Sequence, residues 1–283
     1  MNEKPSVEDI LSKIAESKKK FSFPVFIPSL NREVQFYQMT TAQQKAFVKA
    51  SMGSETSFSE TMYALFAIIK ENCADSTVKV SDFNLIDKLV ISISMRMMSI
   101  SPMYKVIVND IKDDAGEPLH ASINLESLVK KIIKQFKGKT FNERITADGT
   151  DIAIDIDVPT IATEVSVEQD FEADARIAAS KEDAENYADS MGELYVLECV
   201  KYMKAITMGT GEEAKTIDLS ELSNAERKNI FESLPTVLSS KIVDKVNEIT
   251  EQLNSVSLLK ITHEGTPHQY AINLTNPNFF IAS

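Results

Sequence analysis

The sequence is poor in the residues that carry metal-centred and nucleophilic chemistry. Its 283 residues contain no tryptophan, two cysteines and three histidines. Cys73 and Cys199 are too few and too far apart to form a disulfide framework, which predicts buried free thiols in a reducing compartment. His120, His263 and His268 lack the helical spacing of a zinc protease. Since a Gly-x-Ser-x-Gly elbow and a complete phosphate loop are missing as well, the sequence predicts no catalytic residue, no cofactor and no metal ligand.

Long apolar runs are also missing. A helix that spans a bilayer needs about 20 consecutive apolar residues, and no segment comes near that length. The first residues show no apolar signal core, so we expect a cytoplasmic protein with no membrane partner. A hydrophobic content of 43% nevertheless suffices for a sizeable core.

Aspartate and glutamate outnumber lysine and arginine by 42 to 30, and two thirds of the net charge of −12 lies in one segment. Residues 164–193 contain ten acids against Arg176 and Lys181. Nucleic-acid binding needs clustered lysine and arginine, so we expect no nucleic-acid partner. The segment reads either as a solvated helix or mobile linker, or as a docking surface for a basic partner. The docking interpretation assigns partner contacts to Glu168, Asp170, Glu172 and Asp174.

Helical patterns dominate the first hundred residues. Ser6 can cap a helix whose apolar residues recur on one face. These residues are Val7, Ile10, Leu11 and Ile14. A hairpin is predicted over residues 21–38. Thr41 with Gln44 resembles a capping box, and Ser81 with Asp82 is predicted to begin the helix that contains Arg96.

The middle of the chain changes to strand periodicity. Residues 104–109 and 119–123 read as paired strands around a turn, and a helix over residues 128–136 follows. Residues 141–147 and 150–158 flank Asp148-Gly149, a signal for a two-residue hairpin with a type I′ turn. We therefore expect two antiparallel hairpins here.

Helical spacing returns near the C-terminus. An apolar stripe predicts a helix that ends at Gly209. Its residues are Met191, Leu194, Tyr195, Cys199, Tyr202, Met203 and Ile206. Ser223 with Glu226 forms a capping box, and residues 237–256 read as a long helix.

One pattern occurs twice. Residues 116–125 and 265–274 both spell Gly-x-Pro-x4-Ile-Asn-Leu after a long helix and an extended segment. This indicates either two copies of a helix-plus-hairpin unit or a chance similarity between two turns. The fold predicted is α+β, mainly helical with several short antiparallel hairpins. Its parts are residues 1–160, an acidic helix or linker over 161–193, and residues 194–283 with a terminal hairpin.

Several short blocks in the first hundred residues follow a recognisable order. They are the Phe23-Pro24 strand, the Pro28-Ser29 turn, the Phe36-Tyr37 return strand, Asn72-Cys73, and Arg96 with Ser99 on one helix. In order and spacing this region resembles the baseplate hub assembly proteins of T-even-like contractile-tailed bacteriophages. The chain departs from the family after the return strand, where Tyr37-Gln38-Met39-Thr40 stands and the family usually has Arg-Pro-Phe.

The resemblance implies a non-enzymatic protein of tail morphogenesis. It would act in baseplate hub assembly as a chaperone or scaffold in the host cytoplasm, or stay in the virion baseplate as a minor subunit. Its partners would be other baseplate hub and tail proteins, and its oligomeric state stays open. Pro24 and Pro28 cannot donate hydrogen bonds, which suits an edge strand open to pairing. The partner-binding residues expected from this region are Phe26, Pro28, Phe36, Tyr37, Arg96 and Ser99.

Two points on function remain open at this stage. Arg96 and Ser99 lie three positions apart, so they share a helix face that can meet a carboxylate or the carbonyls of a strand. The alternative function is a phage metal-dependent hydrolase that uses His263, His268 and the region of Asp155.

Overall fold

The computed structural model describes residues 6–52, 58–112, 115–179, 184–263 and 266–281. The helices of this part are α1 Val7–Lys20, α2 Thr41–Met52, α3 Phe58–Asn72, α4 Leu85–Ser99, α5 Leu125–Phe136, α6 Ile161–Ala179, α7 Ala184–Val200, α8 Asn224–Glu232 and α9 Thr236–Ser257. The strands are β1 Ser22–Ile27, β2 Arg32–Tyr37, β3 Met103–Lys112, β4 Pro118–Asn124, β5 Glu143–Thr146, β6 Ile152–Ile156, β7 Met203–Met208, β8 Lys215–Asp218, β9 Leu258–His263 and β10 Thr266–Ala271. Helices with small antiparallel sheets confirm the α+β prediction. None of the described helices combines the length and apolar content needed to cross a bilayer.

The first hairpin pairs β1 with β2 in antiparallel register, with Phe23 opposite Phe36. Side chains alternate along β1, so Phe23, Val25 and Ile27 point into the core. The segment after α3 runs along β2, where the Ala74 amide donates to the Gln35 carbonyl oxygen at 2.8 Å. Within the described residues, β1 pairs with β2 alone. The other edge of β1 is therefore the open edge of this hairpin.

Two helices begin at residues other than those predicted. Before α2 the capping pair is Thr40 and Gln43, one residue earlier than the predicted pair, with the Gln43 amide 3.2 Å from the Thr40 hydroxyl oxygen. Helix α4 is capped by Asn84 and Asp87. The predicted start of α4 lies in a 3-10 turn, Val80–Asp82. Before α2, Thr40 with Gln43 and Thr41 with Gln44 both have the spacing of a capping box, so local sequence alone does not choose between them. At α4, Asp87 also accepts hydrogen bonds from Ser29.

The hairpin β5–β6 forms as predicted, but its turn is not type I′. Gly149 has a positive φ of 82°, whereas Asn31 is the only non-glycine residue with positive φ among the described residues, so Asp148 does not fit that turn. The Thr150 amide and hydroxyl both donate to the Ala147 carbonyl oxygen, at 3.2 and 2.9 Å. These two hydrogen bonds close the turn, in which Gly149 is the residue with a positive φ.

The prediction of one helix up to Gly209 was wrong. Helix α7 ends at Val200, and the chain turns and enters β7 at Met203. Strand β7 pairs with β6, with Ile206 opposite Ile154, and β8 adds to its other edge. Apolar residues at 202, 203 and 206 fit helical spacing, but the backbone pairing and burial offered by β6 outweigh that local pattern.

The acidic segment is helical where it is described. Helix α6 packs against α3 and α7 and buries Ile161, Val165 and Val167. The four-stranded sheet in the order β5-β6-β7-β8 combines strands from both sides of this segment. The division into residues 1–160, 161–193 and 194–283 stays a prediction.

The repeated sequence pattern corresponds to similar local structures. The β3–β4 hairpin follows α4, and the β9–β10 hairpin follows α9. Each ends in an asparagine turn: the Asn124 side chain accepts from the Ser127 amide at 2.9 Å, and the Asn273 side chain accepts from the Thr275 amide at 2.9 Å. Asn124 caps α5, whereas Asn273 leads into a short 3-10 helix, Pro277–Phe280.

The C-terminal 3-10 helix closes the core. Phe279 and Phe280 are fully buried. The ring of Phe280 meets Phe47 of α2 edge-on with centroids 4.8 Å apart, and the ring of Phe279 lies 5.3 Å from that of Tyr104 on β3. The end of the described chain thus joins α2 to the β3–β4 hairpin.

Candidate interaction surfaces

The outward face of β1 presents one of the residues that the sequence predicted for partner binding, Phe26. Phe26 is half-buried and lies on the face away from the core, with the Lys137 Nζ 4.8 Å from its ring centroid. Pro24 is exposed on the same face. We call Pro24, Phe26 and the open edge of β1 the hairpin surface.

The other predicted hairpin residues lie inside or at the margin of the fold. Phe36 is fully buried, with its ring 6.5 Å from that of Phe83. Pro28 is buried as well, and Tyr37 is half-buried. Phe36 therefore belongs to the core, while Phe26 is accessible to a partner.

A buried carboxylate that the sequence analysis missed holds the turn of this hairpin. The Ser29 amide donates to Asp87 Oδ1 at 3.0 Å, and the Ser29 hydroxyl donates to Asp87 Oδ2 at 2.5 Å. The Asn84 amide donates to the same Oδ2 at 3.0 Å. Burial raises the pKa of Asp87, and the bonds from Ser29 oppose that effect. The Asn-x-x-Asp spacing could have revealed the cap, but the contact with residue 29 depends on the tertiary structure.

Arg96 is buried inside the chain, with 1% of its surface exposed. Its Nε donates to the Phe279 carbonyl oxygen at 2.6 Å, and its Nη1 donates to the Ser101 carbonyl oxygen at 2.9 Å. Its guanidinium carbon lies 4.7 Å from the centroid of the Tyr104 ring. Burial lowers the pKa of Arg96 and raises the pKa of Tyr104 to about 12. Of the two predicted kinds of partner, backbone carbonyls rather than a carboxylate bind this guanidinium.

Ser99 also binds within the chain. Its hydroxyl oxygen accepts a hydrogen bond from the Met39 amide at 2.8 Å, which attaches the segment after β2 to the end of α4. Arg96 and Ser99 therefore join distant parts of the chain. Their contacts give the Arg-x-x-Ser spacing a role inside the chain, with Arg96 buried and Ser99 half-buried.

The acidic residues of α6 face other helices as well as solvent. Glu164 and Lys88 form an ion pair in which each side chain is 11% exposed. Glu172 accepts from the amide and hydroxyl of Ser59, the amide at 2.8 Å, in the first turn of α3. A carboxylate there also interacts favourably with the helix dipole. Asp170 is exposed and accepts from the Asn224 Nδ2 at 2.7 Å.

Glu168 lies half-buried in the middle of these contacts and has no direct hydrogen-bond or ion-pair partner among the described residues. Burial raises its pKa to about 7, an effect that the nearby charge of Lys201 partly opposes. Glu164, Glu172 and Glu198 raise the pKa further by repulsion. We call Glu164, Glu168, Glu172 and Glu198 the carboxylate cluster. The side chain of Asp174, also in α6, lies outside the described residues.

The residues of the hydrolase alternative lie on different sheets. His268 is on β10, and Asp155 is on β6 with a carboxylate oxygen 3.6 Å from the Arg144 Nη1. His263 is on β9, and its side chain is outside the described part. Nowhere in that part do three histidine, cysteine or acidic side chains come together as metal ligands would. Burial raises the pKa of Cys73 and that of Cys199, the latter to about 11, so neither thiol is activated.

The comparison with known families covers nearly all of these elements. A family described as T4 bacteriophage base plate protein matches residues 18–280, from the end of α1 through the C-terminal 3-10 helix. The chain belongs to this family. It is a phage baseplate protein, and the resemblance read from the first hundred residues is confirmed. A protein of this family interacts with other baseplate proteins of the tail. No curated protein and no solved structure matches the chain.

Proposed function

We propose that this protein acts in assembly of the baseplate hub, as a non-enzymatic scaffold or chaperone or as a minor structural subunit. The observation that carries the proposal is the family match over residues 18–280. A baseplate family favours an assembly role over catalysis, because such a protein needs contact surfaces and no active site. Assembly would take place in the host cytoplasm, and a subunit would stay in the virion baseplate.

The hairpin surface is the partner contact that we assign to this function. An open strand edge offers unpaired amides and carbonyls to a strand of a hub protein. Pro24 removes one donor from β1, which limits uncontrolled edge pairing. Phe26 supplies an aromatic anchor of the kind that dominates binding energy in many interfaces. The bonds between Ser29 and Asp87 hold the turn to α4, so the surface is largely ordered before binding.

The acidic side of α6 is the second contact that we propose, for a basic hub or tail protein. Among the α6 side chains that the structure describes, the exposed carboxylate is that of Asp170. The net negative charge of the segment can attract a basic surface over a screening length of about 8 Å at physiological salt. Such an attraction would act mainly on the rate of association. Glu164 and Glu172 are engaged with α4 and α3 and contribute less.

A substitution in the hairpin surface tests the proposal. Phe26→Asp should abolish co-purification with hub proteins while the circular dichroism spectrum stays unchanged, because the side chain faces away from the core. The matched control is Ile107→Asp, which introduces the same charge at an outward-facing, 54% exposed residue of β3. The control should co-purify normally. Equal binding by both variants would contradict the assignment of the hairpin surface, and unfolding of the first would place Phe26 in the core.

The role in hub assembly has its own test. Phage that lack this protein should accumulate tails without a complete hub, and complete baseplates in that mutant would contradict the proposal. Mass spectrometry of purified virions then separates the two forms of the proposal. A departing chaperone leaves no peptides in the virion, whereas a subunit is detected in a fixed ratio to other baseplate proteins.

A further inference from the structure

A polar cleft of about 650 Å³ lies where the turn between β1 and β2, the start of α6, the turn between α7 and β7, and α8 meet. This volume is within the roughly 300–1,000 Å³ of pockets that bind small ligands. Most of the side chains that line the cleft carry a hydroxyl, an amide or a charge. The described residues around it belong neither to the hairpin surface nor to the carboxylate cluster, so the cleft is a separate feature of the molecule.

One wall of the cleft contains a buried arginine, Arg227 of α8. It is 6% exposed, and its Nε donates to the Leu219 carbonyl oxygen at 2.5 Å. Among the described residues, no acceptor binds its two Nη atoms and no carboxylate forms an ion pair with it. Asp218 acts on Arg227 through its charge at longer range, and its carboxylate accepts from the Ser220 amide at 2.8 Å. Burial lowers the pKa of Arg227.

Arg96 is a useful comparison, because it is equally buried. Its Nε and Nη1 both bind carbonyl oxygens, and the Tyr104 ring lies against its guanidinium. Arg227 has one carbonyl partner among the described residues, and the two lysines that line the cleft, Lys201 and Lys204, each form an ion pair. A buried cation with so few acceptors is unfavourable. The Nη atoms of Arg227 are therefore available to an anion that enters the cleft.

The first turn of α6 forms another wall of the cleft. The Ala162 amide in this turn has no acceptor among the described residues. Amides at a helix N-terminus attract anions, and the helix dipole adds to this attraction. Asn224, one turn before Arg227 on α8, donates at 3.0 Å to the Oγ of Ser166, one turn after Ala162 on α6. This bond holds α8 against α6, and Arg227 and Ala162 line the same cleft.

The charges around the cleft favour a carboxylate over a phosphate as the anion. Both anions match the planar fork of an arginine. Three aspartates also line the cleft and would repel a dianion more strongly than a singly charged group. They are Asp82, Asp157 and Asp218. Their oxygens can accept hydrogen bonds from the amides that flank a side chain in a peptide.

We propose that the cleft binds a glutamate or aspartate side chain in a peptide segment of a partner protein. The carboxylate is held by the Nη atoms of Arg227 and by the first turn of α6, and the aspartates and hydroxyls of the cleft bind the peptide amides. The inference does not rest on the role in hub assembly, because the binding chemistry can be measured on this chain alone.

Saturation-transfer NMR with two capped peptides tests the recognition of a carboxylate. Acetylated and amidated Gly-Glu-Gly should bind the full chain saturably in the millimolar range, and Gly-Gln-Gly with the same caps should not bind. Inorganic phosphate should displace the first peptide no better than sodium chloride of equal ionic strength. Equal signals from the two peptides, no binding of either, or stronger displacement by phosphate would overturn the proposal.

An arginine substitution tests the location of the site. Arg227→Gln should weaken binding of the glutamate peptide at least about tenfold, because the charged fork is lost. The matched control is Arg144→Gln on β5, where the side chain is 51% exposed beside Asp155. The control should bind as the wild-type chain does. Equal binding by a folded Arg227→Gln variant and the control would overturn the assignment.

A second variant keeps the arginine and remains informative if Arg227→Gln fails to fold. Ala162→Asp introduces a competing carboxylate into the cleft and should abolish peptide binding. Its circular dichroism spectrum should stay unchanged, because an acidic residue in the first turn suits the helix dipole. The matched control is Ala42→Asp, at the exposed second residue of α2, which should bind normally. Retained binding in Ala162→Asp, or an equal loss in the control, would overturn the proposal.

Discussion

Helices α1 and α6 reverse the usual relation between polarity and burial. The apolar side chains of α1 face solvent, while α6 places Glu164 in a buried ion pair and Glu168 in a half-buried cluster. Helix α6 packs against α3 and α7, so even its polar face has neighbours. The comparison shows that the polarity of a side chain does not by itself decide whether the side chain is buried. Burial also depends on which elements pack against the helix.

The largest effect that would test this comparison comes from breaking the buried ion pair. Lys88→Met should lower the free energy of unfolding by about 3 kcal/mol, because it leaves Glu164 without its cation inside the fold. Chemical denaturation measures the change. Lys130→Met, at a lysine whose side chain is 72% exposed beside Glu126, is the control and should have almost no effect. If both variants lost the same free energy of unfolding, burial would add nothing to the stabilisation by the Lys88–Glu164 pair.

Removal of Arg96 should have the next largest effect. Arg96→Ala leaves the carbonyls of Phe279 and Ser101 without their donor and creates a cavity beside Tyr104. We expect a loss of about 2 kcal/mol in the free energy of unfolding. Thermal and chemical denaturation check this value. A variant with unchanged stability but failed baseplate assembly would instead move Arg96 to a partner interface.

Glu168 should make stability depend on pH. Its folded pKa of about 7 lies above the ordinary value of 4.5, so the fold favours the protonated form. The contribution of Glu168 to the free energy of unfolding is therefore fully present below pH 4.5 and is lost as the pH rises through 7. Glu168→Gln should remove this loss and make the protein more stable at pH 8 by about 1 kcal/mol, a value reduced for partial exposure. The raised pKa would be contradicted if the free energy of unfolding changed by the same amount between pH 5 and pH 8 in the wild-type protein and in the variant.

The smallest effect on folding should come from α1. Leu11→Glu should change the free energy of unfolding of the monomer by less than about 0.5 kcal/mol, because the side chain is 59% exposed. A large loss would show that the apolar side chains of α1 pack within their own chain, and the contrast with α6 would disappear.

Several elements of the fold could be read from local sequence. The prediction of a helix over residues 237–256 matches α9, Thr236–Ser257, and the capping box of Ser223 with Glu226 opens α8. The β1–β2 hairpin lies within residues 21–38 as predicted. Periodicity, capping pairs and proline positions act over a few residues, so one short window contains the information. The order of such windows also indicated the family.

The candidate site could be read only in part. Phe26 lies on the outward face of β1, and its role in partner binding stays a prediction. The roles of Asp87 and Ser29 were missed, because their contact joins residues 58 positions apart. The acidic side chains of α6 looked like one solvent-facing surface, yet Glu172 binds Ser59, which lies 113 positions earlier. Sequence patterns describe which face of an element is polar, and they do not say which element packs against that face.

The sequence alone determined the helices with clear periodicity, the hairpins and the family. The tertiary structure decided that residues 203–208 form a strand, because β6 offers backbone hydrogen bonds and a buried surface that a helix there would lack. It also decided that Arg96 binds carbonyls, one of them 183 positions away at Phe279. Local free energies separate alternatives over a few residues, whereas a buried charge takes its partner from whatever the folded chain brings within hydrogen-bonding distance.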